Sequence, residues 1–93
     1  MVLGTLQFKI HFPDPQSLKE KRAILKSVLA RLRQEFNVGI AELDGMDLWQ
    51  YSVIAAACVG RERKEVEHVL DRILNFLDAE TNFRVIDHQK ELL

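Results

Sequence analysis

Lys19, Arg22, Lys26 and Arg33 stand at i, i+3, i+7 and i+14. On a 3.6-residue period that spacing gathers them on one helical flank with no carboxylate among them. At 1.5 Å per residue they would line about 20 Å of helix, a length that can follow a few successive phosphates. The chemistry on offer is electrostatic: phosphate contacts along an RNA backbone, led by charge and only weakly sequence-specific. The plainer reading is a solvated helix side whose Lys and Arg stems cover the edge of the core.

Other polar residues point less clearly to chemistry. Glu42, Asp44 and Asp47 gather near one turn, where they could hold a hard cation or supply acid–base chemistry, but a polar turn explains them as well. His11, His68 and His88 lack the i,i+4 spacing of metal ligands. No nucleophile–base pair and no glycine-rich phosphate loop is present. The sequence therefore predicts no enzyme activity, no cofactor and no metal.

The basic residues ride on the strongest structural signal in the chain. Across Ser17–Phe36, Leu18, Leu25, Val28, Leu29, Leu32 and Phe36 recur at helical spacing, with Ile24 widening the stripe. Ser17 and Glu20 have capping-box spacing, and Pro13 and Pro15 stiffen the lead-in. Asn37 suits a left-handed helix end. Lys21 is assigned to the flank opposite the basic stripe, and Arg31 and Glu35 are spaced to pair at i,i+4.

Around this helix the chain reads as a sheet. Val2–Phe12 alternates, with Val2, Leu6, Phe8, Ile10 and Phe12 on one face and Thr5, Gln7, Lys9 and His11 on the other. Val38–Asp44 is a second strand, and Asp44-Gly45 a hairpin signal. Leu48–Val59 is a third strand, apolar on both faces. Gly60 ends it, and Arg61–Glu80 resumes the helical period through Val66, Val69, Leu70, Ile73, Leu74 and Leu77. Phe83–Asp87 closes the sheet as a short edge strand. The order βαββαβ with right-handed crossovers predicts an α+β, ferredoxin-like fold: a four-stranded antiparallel sheet in order 4-1-3-2, with both helices on one face.

Composition bounds the rest. Ninety-three residues, 47% apolar and 29% charged, suit one soluble domain spanning residues 1–93. A net charge of −1 gives no bulk pull towards nucleic acid or membrane, so any such attraction is local. The single Cys58 excludes an internal disulfide and suits a buried thiol. The N-terminus is neither a signal segment nor a membrane span, and the expected compartment is the cytoplasm.

Several relatives of the fold are excluded by what is missing. The first strand–helix loop, Pro13-Asp14-Pro15-Gln16, lacks the two cysteines of a metal carrier and the arginine and glycine of an acylphosphatase-like phosphate cradle. It also lacks the glycine usual in amino-acid sensors. Strand 1 shows Lys9 and His11 rather than aromatics on its open face, and strand 3 carries no arginine-glycine-aromatic signature, so an RNA-recognition motif does not fit.

Two motif blocks carry a resemblance across nearly the whole chain. The run Ser17-Leu18-Lys19-Glu20-Lys21-Arg22, with Arg31-Leu32-Arg33 and Phe36-Asn37-Val38, and then Ala41-Glu42 with Asp47-Leu48-Trp49-Gln50, resembles the YlxP-like family of small bacterial proteins. The resemblance implies a ferredoxin-like fold and, through gene neighbourhood, a tie to translation initiation or ribosome maturation. It implies no established activity and no catalytic residues.

Three readings follow: an accessory protein bound to RNA or a ribosomal subunit, a homodimeric interaction module, and a small enzyme, which explains least. The dimer reading rests on strand 3. Two helices cover one sheet face, so some of Trp49, Tyr51, Val53 and Ile54 should remain uncovered. Trp49, placed at the start of that strand, is expected to pin the hairpin to its neighbour, the alternative being contact with a partner.

Overall fold

A computed structural model describes residues 1–13 and 17–93. In chain order the elements are β1 (Val2–His11), α1 (Leu18–Glu35), β2 (Gly39–Asp44), β3 (Tyr51–Gly60), α2 (Arg63–Asp78) and β4 (Arg84–Leu92). Every neighbouring pair of strands is antiparallel. The order β2-β3-β1-β4 is the expected 4-1-3-2 read from the other edge, so the fold is ferredoxin-like. The expected stiffening by Pro15 and the reading of the loop at 14–16 lie outside the described residues.

Alternation decides which sheet face the helices cover. Leu6, Phe8 and Ile10 of β1 and Ile54, Ala56 and Cys58 of β3 are buried. They meet Leu25, Val28 and Leu32 of α1 and Val66, Leu70, Ile73 and Leu77 of α2 in one core. The free thiol of Cys58 lies inside it, and burial pushes its pKa up. β1 is central, paired residue for residue with β3 from Val2↔Gly60 to His11↔Tyr51. On its other side it pairs with β4, with a register shift between Lys9 and Ile10.

Gly4 shows how closely α2 approaches the sheet. A Cβ there would collide with Val66 Cγ1 and crowd Leu70 and Leu92. Overpacking of this kind costs about 1–3 kcal/mol. Gly4→Ala is therefore expected to lower the midpoint of urea unfolding by a matching amount, with an unchanged m-value. A midpoint equal to that of the wild type would show that α2 moves away without cost.

Three local expectations are corrected. The last strand runs nine residues, to Leu92, rather than stopping at Asp87. Its second half, His88-Gln89-Lys90-Glu91, is exposed on both faces, so backbone pairing with β1 holds it rather than an apolar face. The third strand begins at Tyr51, not Leu48, which leaves Trp49 and Gln50 in the β2–β3 loop. Helix α1 ends without a left-handed residue: Phe36 is already extended and its N–H reaches Leu32 O at 2.9 Å, and no non-glycine residue among those described has positive φ.

Candidate nucleic-acid interface

Helix α1 starts as its sequence dictates. Ser17 is extended, and its Oγ accepts the Glu20 N–H at 3.0 Å, satisfying one of the helix's orphan donors. One turn later comes a feature that overturns an expectation. Lys21, assigned to an outer flank, is fully buried. Its Nζ donates to three backbone carbonyls of the β2–β3 connection: Gly45 O at 2.6 Å, Leu48 O at 2.5 Å and Tyr51 O at 2.8 Å.

An ammonium has three donors, and here each has a carbonyl. The cost of taking the cation out of water is offset by that complete set of charge-assisted bonds. Burial still pushes the Lys21 pKa below its usual 10.5, while the nearby Glu42 carboxylate pulls it up, Arg22 pulls it down and Asp47 pulls it up. Glu42 is itself held, accepting from the buried Ser52 Oγ at 2.9 Å.

The loop that Lys21 grips is tightly made. Gly45 has φ of +84°, a left-handed conformation that disfavours a side chain, and its carbonyl also accepts the Leu48 N–H at 3.1 Å. The Asp44 carboxylate accepts the Gly45 N–H at 2.8 Å. On the far side, Phe12 N–H donates to Gln50 O at 2.7 Å. The loop is thus tied at both ends and through its middle. Met46, Leu48 and Trp49 nonetheless remain exposed, Trp49 at 47%. Lys21 holds the backbone of this connection, and Trp49, expected to pin the hairpin, keeps nearly half its surface in solvent.

The basic flank lies beside this loop. Lys19, Arg22, Lys26 and Arg33 are all exposed. Arg22, Lys26 and Arg33, with Leu25 and Leu29 of the same helix, line one side of an open cleft of about 420 Å³ that Glu42 and Met46 also line. The two arginines also brace the cleft. Arg22 Nη2 lies 3.3 Å from the Asp47 carboxylate and 3.5 Å from Met46 O, and Arg33 donates to Ile40 O at 3.3 Å. Lys19 and Lys26 have no ion-pair partner among the described residues. Arg31 and Glu35 do not pair with each other as their spacing suggested; Arg31 meets Glu80, just past the end of α2, at 2.6 Å and Glu35 meets Arg72 of α2 at 3.9 Å.

The remaining candidates fall on the open sheet face or apart. Tyr51 and Val53 point to the open face and are half-buried, with Lys9 Nζ 4.2 Å from the Tyr51 ring centre. Ile54 points the other way and is fully buried under the helices, so it is no surface residue. Along β2 and β3 the open face is small and apolar, with Gly39 and Ala41 paired to Ala57 and Ala55 and Val59 64% exposed. Along β1 and β4 it is polar, with Thr5, Gln7 and Lys9 opposite Glu91, Gln89 and Asp87. His11, His68 and His88 lie on β1, α2 and β4. Among the described residues no cluster of three or more His, Cys, Asp or Glu is placed to hold a metal, and no helix is long and apolar enough to cross a membrane.

Sequence reasoning missed Lys21, although the signal was present. Lys21, Leu25, Val28 and Leu32, the buried residues of α1, stand at i, i+4, i+7 and i+11, so the lysine sits within the apolar stripe rather than beside it. The two motif blocks are one structural unit: Lys21 and Arg22 of the first hold Leu48 and Asp47 of the second.

The profile of a family described as "Protein of unknown function (DUF503)" matches residues 3–90. The chain is 44% identical over 78 residues, 84% of its own length and 85% of the relative's, to a protein of Bacillus subtilis (strain 168) named "Uncharacterized protein YlxP".

Proposed function

The chain belongs to the DUF503 family of unknown function, and we propose that within it this protein is a non-catalytic accessory factor that binds RNA, on a ribosomal subunit, through the basic flank of α1. The observation that carries this reading is the wall of Arg22, Lys26 and Arg33 along one open cleft, continued by Lys19 a turn earlier. The cations are exposed and close enough together to sum into a local positive field on a slightly acidic protein. Such a wall recognises phosphates by charge and position rather than by sequence. The test is sedimentation of untagged protein from lysate. It is expected to travel with ribosomal subunits at low salt and to leave them as salt rises; absence from the subunit fractions at low salt would remove the reading.

A second reading, homodimerisation, is favoured by the open sheet face. Its β2–β3 half presents Ala41, Val53, Ala55, Ala57 and Val59 on the face opposite the buried Ile54, Ala56 and Cys58, and β2 is an edge strand with one side unpaired. Exposed apolar area beside a free edge suits a second copy of the chain. Sedimentation equilibrium at about 100 µM, well above a micromolar Kd, is expected to return a dimer. A monomer at that concentration would end this reading. The two functions use different faces and are compatible.

A further inference from the structure

The exposed tip of the β2–β3 loop is not absorbed by either reading. A loop of six residues, 45–50, carries Met46, Leu48 and Trp49 exposed at about half their surface, and a buried lysine fixes its backbone through two of its carbonyls, Gly45 O and Leu48 O, and through Tyr51 O at the start of β3. A loop free to move would fold such side chains inward; this one is held with them outward, and a rigid aromatic surface loses little entropy on binding. Its surroundings carry both signs, with Glu42 lining the cleft beside Arg22, Lys26 and Arg33. Arg22 neutralises the tip's own carboxylate, Asp47, at 3.3 Å, Lys26 stands in the same cleft wall, and Met46 belongs to both tip and cleft.

We infer that Trp49 is a stacking platform for an unpaired base of a strand whose phosphates run along the α1 cleft, which makes the ligand single-stranded RNA rather than duplex. The inference rests on the RNA reading above and specifies it. A cationic groove beside an aromatic side chain is the general means of holding single strands, because every base has a π-face whatever its sequence. Charge complementarity selects this occupant over a protein segment: Asp47 is paired with Arg22, Glu42 and Asp44 accept from Ser52 Oγ and the Gly45 N–H, and Lys19 and Lys26 have no ion-pair partner among the described residues. Lys21 acts here as a positioning residue, setting the loop without touching the ligand.

Trp49 is the protein's one tryptophan, so its emission reports on this site alone. The probes are a fluorescein-labelled oligouridylate, the same strand annealed to its complement, and heparin, a polyanion without bases. Anisotropy of the label reads binding, and indole emission reads stacking. The expected result is binding of the single strand with quenching of Trp49, weaker binding of the duplex, and heparin competition without quenching. Trp49→Leu is expected to weaken single-strand binding about tenfold, with Trp49→Phe restoring most of it. Single-strand binding without quenching, unchanged by Trp49→Leu, would overturn the platform while leaving the basic flank in place, and would assign the tip to a protein partner. Duplex bound as tightly as single strand would overturn it too. No anisotropy change at low salt would remove the RNA reading and the platform together.

Discussion

Lys21→Met lowers the unfolding free energy by about 2–4 kcal/mol, the expected result of leaving two to three carbonyls without their donor. Methionine matches the length and apolar stem of lysine, so the cavity stays filled and the change isolates the ammonium. Gly45 O keeps a partner in the Leu48 N–H, but Leu48 O and Tyr51 O lose the bonds at 2.5 and 2.8 Å that the lysine supplies. The loss falls mainly on the β2–β3 loop, because core packing by Leu25, Val28 and Leu32 is untouched. Urea unfolding measures the total, and hydrogen exchange is expected to show faster opening at residues 45–51 than elsewhere. If Lys21→Met equals the wild type in both, water replaces the ammonium freely and the clamp is not what orders the loop.

The largest expected functional effect is that of Arg22→Glu with Lys26→Glu. The pair sits in the middle of the basic flank, and both side chains are exposed, so the fold is retained; the one ion pair lost, Arg22 to Asp47, is of the surface kind, which contributes less than about 1 kcal/mol. Two reversals change the cleft wall by four units of charge and set carboxylates where phosphates would lie. RNA affinity is expected to fall below detection at low salt, with unchanged circular dichroism and unfolding midpoint. A double variant that binds RNA as the wild type does would leave the flank as a solvated helix side.

The fold was legible because its signals are periodic. Alternation in β1 and the three- and four-residue recurrence in α1 and α2 each record burial against a neighbour, and the order of elements then leaves few topologies. What escaped was set by backbone. The second half of β4 is polar because neither face is buried, so no alternation marks it, although pairing with β1 makes it a strand. The start of β3 was misplaced because Leu48 and Trp49 are apolar in type and exposed in fact.

Lys21 escaped for a different reason. Its position in the apolar stripe was readable, but its charge argued for solvent, and the three carbonyls that satisfy it come from a loop more than twenty residues away. A buried lysine is legible only once its acceptors are. Conversely the basic flank was visible at once, since 3.6-residue geometry alone aligns it; the cleft it lines was not, because Glu42 and Met46 reach it from β2 and the loop that follows.

The salt dependence of RNA binding tests the central claim most directly. A single-stranded oligonucleotide titrated by anisotropy over a range of salt reads how many phosphates the flank neutralises. Four contacts, from Lys19, Arg22, Lys26 and Arg33, predict that log affinity falls against log salt with a slope of about −3. A slope near zero, or no association at the lowest salt, would contradict the account.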